Sequence, residues 1–188
     1  AEDPEATEVT FTLTETEIEF EHNGKRLFTL DDVDSITGIG TSTKADDDTS
    51  IGKFGVGFKA VFAYTNSPEI YSGNFSFRIH DLVVPSQEGM VRPNMDANKT
   101  RFVFPFNHPK KTPEKAVKEI EHSLLNLGDN TLLFLNHIKK VEFICPFRGF
   151  GSLERFDHGN GHIKIITNHI NGEVYSSHWL HFQKDVEV

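Results

Sequence analysis

The sequence predicts an α+β fold built on a mixed, mostly antiparallel sheet. Strict two-residue alternation, as over residues 7–14, is typical of half-buried strands, whereas the apolar spacing over 112–128 is typical of an amphipathic helix. Strands and helices do not alternate regularly, as they do in parallel βαβ proteins. A chain of 188 residues with 17 phenylalanines has enough apolar material for a sizeable core.

The chain opens with a predicted β-hairpin. Val9, Phe11 and Leu13 lie on one side of the first strand, and residues 18–20 continue the alternation after a tight connection. Asn23-Gly24 then supplies residues that tolerate positive φ, so we expect the second strand to end there.

Two helices are predicted by their capping residues. Thr29 is a favourable N-cap for a short helix, which Gly38-Ile39-Gly40 is expected to end. Thr112-Pro113 predicts the start of a longer helix, which Gly128 is expected to end. Further strand-like runs are predicted at 69–71, 75–79, 82–84, 101–106, 141–144, 162–167 and 174–182.

Composition argues against several classes of partner. The net charge is -9, whereas a nucleic-acid interface needs clustered Lys and Arg. No stretch approaches the roughly 18 apolar residues that span a bilayer, so no membrane association is expected. Cys145 is the single cysteine, which excludes a disulfide framework and favours a reducing compartment. We therefore expect a soluble, cytoplasmic protein.

A glycine-rich segment at 51–59 contains Gly52, Gly55 and Gly57 just before a helical pattern. Glycines at the start of a helix let backbone N–H groups approach an anion, and the helix dipole favours negative charge there. The same glycines could instead form a turn packed against a sheet. The spacing matches neither the P-loop, which requires Gly-Lys-Ser/Thr, nor a dinucleotide-binding fingerprint.

The order of several segments resembles the GHKL ATPases (gyrase, heat-shock chaperone, histidine kinase and MutL), and more closely their sacsin-type branch. These segments are His22-Asn23-Gly24, residues 28–33, residues 38–44 and the glycine segment continued to Phe62. Residues 99–102 are similar to the family's G-T-x-F strand, and 132–142 to its closing segment. The resemblance covers roughly residues 1–145. It implies the two-layer α/β sandwich called the Bergerat fold, with helices on one face of the sheet.

The resemblance also implies a binding site for ATP and Mg²⁺. Backbone amides of the glycine segment would face the phosphates, and residues 38–50 would form a lid that closes over the nucleotide. Thr100 would lie beneath the adenine, and Phe28 and Ile36 would line the base pocket. The implied phosphate-side residues are Gly40, Ser42, Thr43, Lys44, Gly52, Lys53, Phe54, Gly55, Val56, Gly57 and Phe58. The implied base-side residues are His22, Asn23, Gly24, Phe28, Ile36 and Thr100.

The sequence departs from the family pattern at the base. Where the family has an Asp that accepts a hydrogen bond from the adenine amino group, this chain has His22, and Arg26-Leu27 replaces the motif's second glycine. A neutral imidazole can accept one hydrogen bond, and Asn23 could also substitute.

A second departure lies at the N-terminus. Ala1-Glu2-Asp3 is similar to the tail of the family's N-x-x-D box, with Asp3 as its remaining acid. The Mg²⁺-binding Asn and the general-base Glu are then expected before Ala1. We therefore expect this chain alone to bind nucleotide weakly and not to turn it over.

The ten histidines raise the question of a metal site. The candidate groups are Asp157-His158 with His162, and His178 with His181. Positions three apart on a strand face opposite sides, so His178 and His181 cannot readily share a metal, and no such site is predicted.

Three functions remain open on sequence grounds. The first is an ATP-binding module, residues 1–140, of a longer chaperone-like or signalling ATPase. The alternatives are a non-hydrolysing nucleotide-binding regulatory or protein-interaction domain, and a structural domain whose glycines serve packing alone. Residues 141–188 would extend the sheet or form a small β lobe. Expected partners are nucleotide, other domains of a longer chain or a client protein, and a second copy of the chain.

Overall fold

The computed structural model describes residues 6–38, 56–135, 137–146 and 148–182. In these ranges the strands are β1 (Glu8–Leu13), β2 (Glu17–His22), β3 (Glu69–Ser72), β4 (Phe75–His80), β5 (Val84–Ser86), β6 (Thr100–Pro105), β7 (Lys140–Cys145), β8 (Gly149–Asp157), β9 (His162–Asn168) and β10 (Val174–Leu180). The helices are α1 (Leu30–Thr37), α2 (Val56–Lys59) and α3 (Pro113–Leu125), with 3₁₀ turns at Ala60–Ala63 and Asp129–Leu133.

The strands form one ten-stranded sheet in the order β10-β9-β8-β7-β1-β2-β6-β3-β4-β5. β1 and β7 pair in parallel, and every other pairing in the described sheet is antiparallel. The predicted α+β class, with a mixed and mostly antiparallel sheet, is confirmed. The strands that follow residue 140 lie in this same sheet, while a domain division at that point stays a prediction.

The strand register places the apolar side chains on one face of the sheet. Phe11 pairs with Phe20, Phe20 with Phe102, Phe102 with Ile70, and Ile70 with Phe77. Since cross-strand partners share a face, these residues form an apolar row across five strands.

The helices cover that face in two places. Ala116 and Leu124 of α3 belong to a core cluster with residues of β1, β2, β7, β8 and β9. Val33 and Ile36 of α1, with Phe58 of α2, pack against a second cluster centred on β3 and β4. Sheet and helices therefore form two layers, as the sequence analysis expected.

No helix in the described ranges is both long and apolar enough to span a membrane.

The predicted helix starts are confirmed. The Thr29 side chain accepts a hydrogen bond from the Asp32 N–H, and the Asp32 carboxylate accepts one from the Thr29 N–H, which together form a capping box. The Thr112 side chain accepts from the Lys115 N–H, with Pro113 at the first turn of α3.

Two predicted boundaries differ from the structure. α3 ends at Leu125 because Asn126 caps it, with its backbone N–H donating to the His122 carbonyl. Gly128 instead precedes the 3₁₀ turn at Asp129–Leu133. Residues 82–84 were predicted as a strand, but Asp81 and Leu82 take φ values of 49° and 70°, which only a turn accommodates, and the strand begins at Val84.

Candidate functional site

Three polar side chains lie side by side on the helix-facing surface of the sheet, at the ends of three neighbouring interior strands. His22 ends β2, Thr100 begins β6 and Ser72 ends β3, and the register pairs His22 with Thr100 and Thr100 with Ser72. Thr100 and Ser72 are both fully buried, at 0% exposure. Buried hydroxyls are costly unless they are hydrogen-bonded, so their partners are informative.

The two hydroxyls bond to each other and to the backbone. Ser72 Oγ and Thr100 Oγ1 are 2.6 Å apart, and the Phe28 N–H donates to Ser72 Oγ over 3.0 Å. This chain of bonds attaches the segment before α1 to the sheet. Thr100, which the resemblance assigns to the adenine, is thus buried with its hydroxyl bonded to Ser72, and its role toward a base stays a prediction.

Ser72 is the residue of this pair that sequence reasoning missed. The predicted strand at 69–71 stopped one residue short of it, and no motif in the sequence marks it. Its partner Thr100 is 28 positions away in the chain, and only the β3–β6 register brings them together.

His22 presents different chemistry from that expected. The Gly24 N–H donates to His22 Nδ1 over 3.1 Å. A neutral imidazole whose Nδ1 accepts a hydrogen bond carries its proton on Nε2, so the remaining nitrogen is a donor. The acceptor that the sequence analysis assigned to the adenine amino group is thus used by the local turn.

Asn23 is also committed to the fold. Its Oδ1 accepts hydrogen bonds from the Thr7 N–H at 2.9 Å and the Glu8 N–H at 3.0 Å, and its Nδ2 donates to Thr7 Oγ1. An amide oxygen has two lone pairs, and both are in use. The geometry does not support the suggested replacement of the missing Asp by Asn23; this side chain holds the start of β1.

Phe28 and Ile36, the apolar residues expected around the base, pack against the same aromatic cluster. Phe28 and Phe58 both contact Phe102, with ring centroids 6.0 Å and 6.2 Å away. Phe28 also contacts Phe77 at 6.4 Å, and Ile36 packs against the same cluster. α1, α2 and the sheet therefore present one continuous aromatic surface beside the buried hydroxyls.

Lys59, at the end of the glycine segment, serves the fold. Its Nζ donates to the Ile36 carbonyl at 3.1 Å and to the Leu82 carbonyl at 2.6 Å. Burial lowers the pKa of Lys59. The ammonium joins the last turn of α1 to the β4–β5 turn, where the carbonyl end of the helix favours a cation.

Asp3, and most of the residues expected to hold the phosphates, lie outside the described part of the chain. Those not described are Asp3, Gly40, Ser42, Thr43, Lys44, Gly52, Lys53, Phe54 and Gly55. Val56 and Gly57 are placed only as the first backbone positions of α2. Among the described residues, no group of three His, Cys, Asp or Glu side chains could hold a metal ion.

The histidines of the C-terminal strands form a stack. His162 lies between His158 and His178, with ring centroids 5.2 Å from each, and His162 Nε2 is 2.9 Å from His178 Nδ1. His181 contributes its backbone N–H to the Gly161 carbonyl. Three stacked rings do not form the converging ligand set of a structural metal site.

The structure thus defines an α+β domain whose sheet carries, on the face covered by the helices, two buried hydroxyls beside an aromatic surface. Residues 20–103, which contain all of these groups, match the family model described as the Sacsin domain. This part of the chain is therefore similar to the Sacsin domain, which confirms the resemblance stated from the sequence.

Curated relatives agree with this assignment. Human Sacsin is 37% identical over 156 residues, which cover 63% of this chain and 3% of that protein. Protein NO VEIN of Arabidopsis thaliana is 34% identical over 136 residues, which cover 62% of this chain and 5% of that protein. The chain spans only a small part of the length of either relative.

The chain is also similar to two solved structures. The B-subunit of DNA gyrase from Myxococcus xanthus is 12% identical with a TM-score of 0.46, covering 87% of this chain and 55% of that one. The topoisomerase IV ATP-binding domain of Francisella tularensis, solved with a small-molecule inhibitor, is 13% identical with a TM-score of 0.40, covering 86% and 52%.

Proposed function

We propose that this domain is a nucleotide-binding module of a larger chaperone-like or signalling ATPase. The observation that carries the proposal is the buried Ser72–Thr100 hydroxyl pair, aligned with His22 inside the region that matches the Sacsin domain. Such polar groups at an otherwise apolar sheet face are the usual means of orienting a ligand in a mostly apolar site.

The described residues suit the base end of a nucleotide. Phe28, Ile36 and Phe58 offer an apolar surface against which a planar base can pack, and Thr100 and Ser72 form a polar floor. ATP with Mg²⁺ would supply the phosphoanhydride chemistry. Under this proposal the amides of Gly52, Gly55 and Gly57 and the side chain of Lys44 would hold its phosphates, and residues 38–50 would close over them.

Thr100 gives a test at the base end. We expect Thr100→Val, which removes one hydroxyl at constant shape, to weaken ATP binding at least tenfold, or about 1.4 kcal/mol, by isothermal titration calorimetry. Thr10→Val is the matched control, because Thr10 is on β1 and pairs with Glu21, on the sheet face opposite the helices. No binding by the wild-type chain, or equal affinity in both variants, would reject the assignment.

Gly55→Val tests the phosphate end. A side chain at this glycine would obstruct the approach of backbone N–H groups to the phosphates. We expect at least a tenfold loss of ATP affinity, with circular dichroism unchanged. A folded variant with wild-type affinity would show that the glycines serve packing only.

The second candidate is a module that binds nucleotide without hydrolysing it. The hydrogen bond from the Gly24 N–H to His22 Nδ1 favours it, since the acceptor expected at this position for the adenine amino group is then engaged within the fold. Steady-state phosphate release separates the two candidates. Sustained release that disappears in Gly55→Val would establish an ATPase, whereas binding without release supports the passive module.

A further inference from the structure

β10 forms an open edge of the sheet. It pairs with β9, and no other described element lies against its outer side. The opposite edge strand, β5, has three residues and contains Pro85, features that prevent pairing with a further strand. β10 has seven residues, Val174–Leu180, with neither a proline nor a charged Asp, Glu, Lys or Arg.

The side chains of β10 are unusually apolar for an exposed edge. Val174 is 64% exposed, Tyr175 54%, Trp179 38% and Leu180 66%. A long, uncharged edge strand with exposed apolar residues is a template for another strand, and proteins usually block such edges unless they are used.

The hydrogen bonds that flank β10 define which of its backbone groups point outward. The His169 N–H donates to the Glu173 carbonyl, and the His181 N–H donates to the Gly161 carbonyl, both over 2.8 Å. In an antiparallel ladder the bonded positions alternate, so the odd-numbered residues of β10 bond to β9. The N–H and C=O groups of Val174, Ser176, His178 and Leu180 therefore face the open side.

The sequence of β10 is chemically symmetric about Ser177. Moving outward from Ser177, the flanking pairs are Ser176 with His178, Tyr175 with Trp179, and Val174 with Leu180. Each pair matches in character: polar, then aromatic, then aliphatic. An antiparallel pairing of two such strands about Ser177 would bring like side chains opposite each other.

We propose that β10 pairs with β10 of a second copy of this chain, antiparallel about a two-fold axis at Ser177. In this register the outward-facing N–H and C=O groups of one copy lie opposite those of the other copy. About eight backbone hydrogen bonds therefore form between the copies. Tyr175 lies opposite Trp179 at non-hydrogen-bonded positions, where side chains approach most closely. The two sheets become one continuous sheet.

A cysteine scan tests the register directly. At a non-hydrogen-bonded pair the Cα atoms lie about 4.5 Å apart, within reach of a disulfide. Ser177→Cys should therefore cross-link to its own copy under mild oxidation, while the control Ser176→Cys, which lies opposite His178, should cross-link at least tenfold more slowly. The native Cys145 is 2% exposed and buried away from the edge. Equal rates in the two variants, or no cross-linking in either, would overturn the proposal.

A charge-swap experiment tests the symmetry without oxidation. Sedimentation velocity should show a concentration-dependent dimer for the wild-type chain. Either Ser177→Lys or Ser177→Glu alone should weaken the dimerisation affinity at least tenfold, because two like charges then meet at the two-fold axis. Mixing the two variants should restore a dimer. A wild-type chain that stays monomeric would overturn the proposal. A dimer that neither substitution weakens would place the interface elsewhere and overturn it as well.

Discussion

His22 shows how one backbone contact sets the chemistry of a side chain. The Gly24 N–H occupies Nδ1, which leaves Nε2 as a donor in the neutral ring. An aspartate at this position could accept the same N–H and still offer carboxylate lone pairs to a base amino group. The difference between the two residues is therefore one of hydrogen-bond polarity as well as charge.

We expect His22→Asp to raise ATP affinity at least fivefold and to increase the preference for ATP over GTP. The added acceptor matches the adenine amino group, whereas guanine presents a carbonyl at the same place. Calorimetric titration of both nucleotides measures the effect, with His22→Ala as the control that removes the imidazole without adding an acceptor. Equal gains for ATP and GTP would contradict this interpretation.

Ser72 and Thr100 should differ in their contributions to stability. Thr100→Val leaves Ser72 bonded to the Phe28 N–H, so we expect a loss of about 1 kcal/mol. Ser72→Ala removes the partner of both the Phe28 N–H and the Thr100 hydroxyl, and should cost about 2–3 kcal/mol. Urea unfolding of the two variants measures the difference, and a larger loss in Thr100→Val would contradict it.

At the scale of elements, α1 depends on local capping. Thr29 and Asp32 close its first turn, and Arg26 holds the same carboxylate at 2.8 Å. We expect Thr29→Ala to lower the free energy of unfolding by about 1 kcal/mol, while Thr29→Ser, which keeps the accepting oxygen, stays close to wild type. Thermal or urea unfolding gives the measurement. Equal losses in both variants would assign the effect to the Thr29 methyl group instead.

Elements with local signals were predictable from sequence. The starts of α1 and α3 depend on Thr29 and Thr112, which act within three residues of themselves. The turn at Asp81-Leu82 was not predictable, because Leu82 takes a φ of 70°, which leucine rarely adopts. The predicted end of α3 at Gly128 was wrong, because the helix ends at Leu125 with Asn126 as its C-cap.

At the scale of the whole molecule, alternation predicted the sheet but not its strand order. β1 lies between β2 and β7, and the parallel β1–β7 pairing joins residues more than a hundred positions apart. The same limit applies to the candidate site. The resemblance named Thr100 and His22 as candidates, whereas the Ser72–Thr100 bond joins residues 28 positions apart and follows only from the strand order. The bond on His22 Nδ1 is local, but it depends on the backbone geometry at Gly24, which residue types alone do not give.

The sheet face opposite the helices is charged, and its carboxylates are unequal. Burial, and after it the nearby Glu19 and Glu69 carboxylates, raises the pKa of Glu17. Burial also acts to raise the pKa of Glu21, but hydrogen bonds from Lys99 and Arg101 outweigh it and leave that pKa lowered. Lys99 and Arg101 lie 2.9 Å and 2.8 Å from the Glu21 carboxylate.

These opposite shifts predict opposite effects of the same substitution. A raised pKa means that the folded state disfavours the ionised form, so at pH 7 Glu17→Gln should stabilise the protein by up to about 1 kcal/mol. The gain should shrink as the pH falls through the raised folded pKa and vanish below the unfolded value of 4.5. Glu21→Gln should destabilise the protein at pH 7. This loss of stability should disappear only below pH 4.5, as the pH falls through the lowered folded pKa of Glu21. Urea unfolding of both variants between about pH 3 and pH 7 measures the two profiles. If both substitutions destabilise the protein equally at neutral pH, the Glu17 carboxylate has a favourable partner in the fold and the predicted sign is wrong.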